Sequence, residues 1–293
     1  MNEPVRHASV RDYLRLCRPK HYLKNLLLYA PLLFGGTLQS AGPVTIGFCG
    51  FSLLCSFVYL VNDLRDRESD ARHPAKCSRP IASGAISPAA AKRFGSILLI
   101  LAWALLWLAC RMRPVALLLP LGYLILNLLY SYRLKHMPLV DVAVLSIGYL
   151  LRLLLSTGIS GIAISSWLYL VVLSISLLLS FGKRLGELRQ TDGSSRTVLS
   201  VYSEEFLTSC LDVSGTITIV FYALWAGSAR IVTEHGDLAL WSVPAAVFLY
   251  LRYRWLLSRG ASGDPVDMIT GDRYILILGG FFIAYLICMI ACF

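Results

Sequence analysis

The chain alternates long runs that carry little or no charge with short bursts that are crowded with it. Apolar runs lie near 25–39, 44–61, 94–110, 114–131, 140–158, 166–181, 207–228, 240–257 and 274–293. A helix needs about 20 mainly apolar residues to cross a bilayer. Runs of about that length recur from end to end, which makes lipid the solvent. The pattern predicts an all-α polytopic membrane protein with nine transmembrane helices. No segment between runs is long enough for a soluble domain, so residues 1–293 are expected to form a single membrane-embedded domain.

Charge decides which side is which. With the N-terminal segment 1–24 on the cytoplasmic side, the segments 1–24, 62–93, 132–139, 182–206 and 252–273 hold 23 of the 27 Lys and Arg. The opposite connections hold 3, and Arg152 lies inside a span. That asymmetry is a strong positive-inside signal and predicts a cytoplasmic N-terminus and an external C-terminus in the cell membrane. The net charge of +10 therefore faces cytoplasm and anionic headgroups, and nucleic acid is not the expected partner. Of the 17 Asp and Glu only Glu234 and Asp237 fall outside, so any chemistry belongs to the cytoplasmic loops 62–93, 132–139, 182–206 and 258–273. The first 24 residues are polar and basic, and no cleavable signal peptide is expected. The eight cysteines form no C-x-x-C pair and suggest neither a disulfide framework nor a zinc site.

The sharpest burst is VNDLRDRESD at 61–70, where the second span ends. Asp63, Asp66 and Asp70 are spaced three and four apart, which predicts one helical face. A solvated helix end is the bland explanation of most such runs. Here it is weakened, because carboxylates are unfavourable towards a helix C-terminus and three like charges need a cation. Oxygen ligands on one face suit Mg²⁺, which takes one or two carboxylates and shares the rest with water and substrate phosphate. The helix is expected to stop before His73-Pro74, and Ser87-Pro88 to cap the third span.

Five further groups have both a bland and a functional reading. In FGKRLGELRQ, Lys183, Arg184 and Glu187 are either a topology anchor, with Lys183 and Glu187 at ion-pair spacing, or an anion site. In YSYRLKHMPLVD, Tyr130, Arg133, Lys135 and Asp141 surround a short turn broken by Pro138. Arg152 is an intramembrane arginine, functional by default, and its spacing lets it face one cavity with Asp141. In CRPKHYLKN, Lys24 and Asn25 stand where a span begins and can reach an anion, although a basic interfacial helix also explains them. GDPVDMITGDR has the composition of a turn. The five His form no pair at ligand spacing, and no nucleophilic Ser or Cys motif is present.

NDLRDRESD at the exit of the second span resembles the N-D-x-x-D-x-x-x-D signature of the UbiA-type intramembrane prenyltransferases. RPKHYLKN, RHPAKCSRPIASG, YSYRLKHMPLVDVAVLSIGYLLR, FGKRLGEL and GDPVDMITGDR extend the likeness from 18 to 273, towards the branch that phosphoribosylates polyprenyl phosphates. The resemblance implies a nine-helix bundle around a central cavity open to cytoplasm. It also implies Mg²⁺ held by Asn62, Asp63, Asp66 and Asp70, and two substrates, 5-phosphoribosyl-1-diphosphate and polyprenyl phosphate (decaprenyl in that branch). Asp63, Asp66, Asp70 and Lys183 would be catalytic. Lys24, Asn25, Asn62, Arg72, Lys76, Arg79, Tyr130, Lys135, Asp141, Arg152, Arg184 and Glu187 would bind substrate, with Lys24, Lys135, Lys183 and Arg184 clamping phosphate and Arg152 on the lipid side. Members that modify quinones or haem carry a second D-x-x-x-D after the sixth span, where this chain has Lys183 and Glu187. An ammonium there removes a metal ligand and creates an anion site, which suits a lipid monophosphate acceptor.

Two rivals remain at this stage: an aromatic-acceptor polyprenyltransferase, and a transporter or flippase for a phosphorylated lipid. Transporters usually place charge at the bilayer midplane, whereas these acids crowd the boundary. The sequence leaves polyprenyl length open and is compatible with a homo-oligomer.

Overall fold

The computed structural model describes residues 8–35, 38–72, 76–191 and 198–292, and all regular structure among them is helical. Helix α1 (Val10–Cys17) starts in a reciprocal cap between Ser9 and Asp12 and ends at Arg18, whose φ of 52° is left-handed. An eleven-residue 3₁₀ helix, Pro19–Tyr29, follows and runs into α2 (Ala30–Phe34). Helices α3 (Ala41–Arg65) and α4 (Arg67–Arg72) carry the acidic burst. Then come α5 (Pro88–Cys110), α6 (Leu118–Tyr132), α7 (Val140–Ser160), α8 (Ser166–Thr191) and α9 (Glu204–Ala226). The chain closes with α10 (Ala229–His235), α11 (Leu238–Trp241), α12 (Val243–Ser258), α13 (Pro265–Gly271) and α14 (Arg273–Cys292).

Seven helical stretches among the described residues are long and apolar enough to cross a membrane: α3, α5, Pro114–Tyr132, α7, α8, α9 and α14. They match seven of the nine runs expected from sequence and make this a multi-pass integral membrane protein. The first and eighth runs take other forms. The first is the 3₁₀ helix plus α2, where Pro31 lacks the N–H that would continue the ladder. The eighth is α12, which has only 16 residues.

The apolar core explains how the charged end is positioned. Helix α3 lies against α5, and α8 against α7 and α9. Gly50 makes the first contact close: a Cβ there would stand 3.0 Å from Leu105 and Leu106. Leu28, Phe51, Leu54, Cys55, Leu106 and Leu155 fill the space between α3, α5, α7 and the 3₁₀ helix. Large apolar side chains on α5 and α14, such as Ile100, Ile277 and Phe281, are exposed, as the solvent-facing side of a membrane helix should be. A recess lined by Pro31, Phe34, Trp167, Leu168 and Trp225 opens at the end of the bundle opposite the acidic burst.

Candidate active site

The acidic burst does not form one continuous helical face. Helix α3 stops at Arg65, Asp66 takes the C-cap position and α4 begins at Arg67. The kink separates the three carboxylates into two environments. Asp63 and Asp70 are buried and share one cation: Nη1 of Arg79 donates to Asp63 Oδ1 at 3.1 Å and to Asp70 Oδ2 at 2.6 Å. Arg18 adds a second contact to Asp63 Oδ1 at 2.5 Å. Asp66 turns instead to Lys135, whose Nζ lies 2.9 and 3.1 Å from its two oxygens. The cations demanded by like-charge repulsion are therefore Arg18, Arg79 and Lys135. Asn62 accepts a hydrogen bond from Ser131. Helix α4 is described as far as Arg72; the stop expected before His73-Pro74 lies outside the described residues. Ser87 caps α5 by accepting from Ala90 N–H.

The metal expectation can be tested on these donors. Among the described residues no three His, Cys, Asp or Glu side chains converge well enough to chelate a metal as they stand. Mg²⁺ needs only one or two carboxylates when phosphate supplies other ligands. Asp63 and Asp70, already sharing one cation, fit that requirement.

A second group forms where the 3₁₀ helix meets α8 and α13. A 3₁₀ helix turns once every three residues, so side chains at i and i+3 eclipse. That period stacks His21 on Lys24, with Arg18 one turn earlier, while Asn25 and Leu28 turn to the core. Lys24 and Lys183 each stand 3.9 Å from Asp264, one on either carboxylate oxygen. Small residues bring the elements this close. A Cβ on Gly186 would lie 2.6 Å from the Ser262 carbonyl, and one on Gly263 (φ +70°) 2.5 Å from the Gly182 carbonyl. The glycines flanking Lys183 thus let the 258–264 loop lie on α8, where Asp264 caps α13 by accepting from Val266 N–H. The ammoniums explain the ionisation. Burial raises Asp264, but Lys183, Lys24 and their neighbours outweigh it and hold the carboxyl below its usual range. Burial, then the like charge of Lys183, pushes Lys24 down to about 8.

Two expectations change. Arg184 was grouped with the phosphate clamps, but its side chain is fully buried and each of its nitrogens is committed. Nε donates to Asp141 at 2.5 Å, Nη1 to Glu187 at 2.5 Å and Nη2 to the Tyr130 hydroxyl at 2.7 Å. Tyr202 donates to the other Asp141 oxygen at 2.7 Å and accepts from Leu139 N–H, where φ is +63°. Asp141, Glu187 and Tyr130 therefore serve this bracket, which ties α6, α7 and α8 together, and the intrahelical Lys183–Glu187 pair gives way to it. Arg152 and Asp141 share no hydrogen-bond partner among the described residues. Arg152 is buried, donating to Asn25 at 2.7 Å and to the Gly148 carbonyl at 2.6 Å, with Phe51, Tyr123 and Tyr149 about it. No carboxylate among the described residues pairs with it. Arg72 is exposed at the end of α4, and Lys76 is half-buried.

Sequence reasoning missed Arg18, Asp264, His21 and Tyr253. Arg18 and His21 flank Tyr59, the guanidinium 5.0 Å and the imidazole 5.4 Å from its ring centroid. They link the acidic group to the lysine group. RPKH and GDP were in view as motifs, but no spacing rule joins segments this far apart.

Residues 27–261 match the UbiA prenyltransferase family. The chain belongs to that family. It is a transferase of the membrane-embedded UbiA class. The chain is 33% identical over 279 residues to decaprenyl-phosphate phosphoribosyltransferase of Mycobacterium tuberculosis H37Rv, covering 92% of this chain and 91% of that one. It is 32% identical over 287 residues to the protein of the same name from Corynebacterium glutamicum, covering 94% and 85%. The fold is similar to that of a UbiA homolog from Archaeoglobus fulgidus solved with GPP and Mg²⁺, with a TM-score of 0.68 at 22% identity over 96% of this chain and 99% of that one. The UbiA membership removes the transporter as a leading reading.

Proposed function

We propose that this UbiA-family chain transfers 5-phosphoribose from 5-phosphoribosyl-1-diphosphate to a polyprenyl phosphate, such as decaprenyl phosphate, releasing diphosphate. The reaction would be a step towards lipid-linked arabinose donors for the cell envelope. The observation that carries the reading is the convergence of Lys24 and Lys183 on a single carboxylate, Asp264. A site for a second metal needs carboxylates there; a site for a phosphate needs cations. The relatives named for that activity support the same choice.

Asp63 and Asp70 are the carboxylates that would hold Mg²⁺, with Asn62 and Asp66 on the adjoining turn. When bound, the metal neutralises the charge of the departing diphosphate. Arg18, Arg79 and Lys135, which now pair with the acids, stand where they can turn to diphosphate oxygens. Lys24 and Lys183 stand ready to hold a phosphate apart from the departing diphosphate. The attacking lipid phosphate is already ionised and needs no general base. Attack from the face opposite the diphosphate would invert the anomeric carbon. The architecture we infer has nine passes, a cavity open to the cytoplasm, a cytoplasmic N-terminus and an external C-terminus, and a reporter fused after Phe293 that reads cytoplasmic would overturn that orientation.

The test is direct. Purified protein with Mg²⁺, 5-phosphoribosyl-1-diphosphate and polyprenyl phosphate should yield the phosphoribosylated lipid by mass spectrometry. Product only from a prenyl diphosphate and an aromatic acid would refute the reading in favour of the aromatic-acceptor rival.

A further inference from the structure

Among the described residues three buried side-chain polar atoms have no hydrogen-bond partner: His21 Nδ1, His235 Nδ1 and the Tyr253 hydroxyl. Two of the three lie at the lysine group. Tyr253 is more than nine-tenths buried, and its hydroxyl stands 2.1 Å from where a Cβ on Gly182 would be, beside Lys183. Asp264 is within electrostatic reach of it. His21 sits one 3₁₀ turn from Lys24 and feels Lys24, Asp264, Arg18 and Lys183. Burial, then the Lys24 charge, pushes its imidazole down to about 4, so it is neutral at physiological pH. Buried polar groups in folded proteins are nearly always bonded, and an orphan is costly. Two orphans facing one cluster indicate a ligand that supplies both partners.

The chemistry of the cluster limits what that ligand can be. Two ammoniums and a phenol donate to an anion. A carboxylate repels an anion but accepts well from a hydroxyl, and a neutral imidazole adds a further polar contact. A bare phosphate would satisfy the lysines and leave Asp264 opposed. A phosphorylated sugar satisfies all five groups.

We propose that His21, Lys24, Lys183, Tyr253 and Asp264 form a sugar-phosphate subsite, in which Lys24, Lys183 and the Tyr253 hydroxyl hold the 5-phosphate while Asp264 and His21 bond the ribose hydroxyls. This assignment rests on the proposed phosphoribosyl transfer and makes Tyr253 and His21 determinants of donor specificity. It places the donor's ribose end at α8 and α13 and its diphosphate end at the acidic helix exit, with Arg18 and Tyr59 between.

Tyr253→Phe removes only the orphan hydroxyl. The test combines kinetics with thermal unfolding of the purified protein in detergent. The donor KM should rise about tenfold in Tyr253→Phe and in His21→Ala, the worth of one hydrogen bond to a charged or polar ligand. The lipid-phosphate KM should stay within twofold, and the unliganded Tyr253→Phe protein should melt no lower than wild type. Ribose 5-phosphate should raise the wild-type melting temperature more than inorganic phosphate or ribose, and both variants should lose most of that shift. An unchanged donor KM in both variants overturns the subsite, as does a wild-type shift no larger than inorganic phosphate gives. A lower melting temperature in Tyr253→Phe with unchanged donor KM would show a structural role instead. Should wild type transfer no phosphoribose, the functional reading fails, and the ribose 5-phosphate shift still decides the subsite.

Discussion

Replacing Arg184 by Ala separates a structural bracket from a phosphate clamp. The guanidinium is fully buried and contacts Asp141, itself fully buried, together with Glu187 and Tyr130. Its removal leaves the Asp141 carboxylate in the interior with Tyr202 as its remaining hydrogen-bond donor. Breaking a buried pair by deleting one partner costs about 3–5 kcal/mol, most of it the uncompensated charge left behind. The cavity left by a long side chain adds to that. Against a typical stability of about 5–15 kcal/mol, such a loss lowers the melting temperature by something on the order of 10 °C. The readout is thermal unfolding of purified protein in detergent at fixed scan rate, compared among wild type, Arg184→Ala, Asp141→Asn and the double variant. Asp141→Asn in the Arg184→Ala background removes the orphaned charge, so the double variant should recover part of the loss, giving a coupling of about 2 kcal/mol. The bracket fails if Arg184→Ala melts like wild type and raises the KM of one substrate alone, which is the behaviour of a clamp.

Three further outcomes are expected. Asp63→Asn and Asp70→Asn should abolish turnover while the protein stays folded, and titration with Mn²⁺ should show weakened metal binding in both; wild-type binding in both would refute the two-carboxylate site. Lys183→Ala should lose activity severely and Lys183→Asp more so, since a sign change at phosphate contact is worth roughly a hundredfold or more in rate even with solvent screening; near-normal transfer by Lys183→Ala would return Lys183 to a topology anchor. Lys24, at about 8 beside Lys183, Asp264, Arg152 and Cys55, should lose its proton as pH rises through that value, so donor kcat/KM should fall on the alkaline side; Lys24→Arg, whose guanidinium does not titrate there, should flatten that limb, and an unchanged limb would exclude Lys24.

Local information carried the sequence reading far in some places and not at all in others. Seven spans and the Ser87 cap were legible because hydropathy and a capping residue act within a few positions. The kink at Asp66 was not, because it follows from what each carboxylate finds in space: Arg79 for Asp63 and Asp70, and Lys135, 69 residues away, for Asp66. The same limit explains Arg184. Sequence shows a cation after a span, and only packing shows two carboxylates and a phenol closing round it. The 3₁₀ stretch was missed for a different reason. Its apolar content reads as the start of a helix, and the switch from 3.6 to 3.0 residues per turn, which brings His21 and Lys24 together, leaves no mark in composition.

Charge balance separates the two halves of the cytoplasmic end. At the helix exit three carboxylates meet three cations, Arg18, Arg79 and Lys135. That group is neutral without a ligand, and it stays near neutrality if a divalent cation and a diphosphate enter together. At α8 two ammoniums meet one carboxylate, His21 adds no charge, and Arg152 lies within reach of Lys24 with no carboxylate partner among the described residues. The surplus is positive, and it adds to burial in drawing the pKa of Lys24 down. An electrostatic surplus in a partly buried site is costly unless something resolves it, and an anion does so while a second metal would deepen it. A lysine at position 183, where a second metal would need a carboxylate, thus sets the sign of the ligand that this half of the site can stabilise.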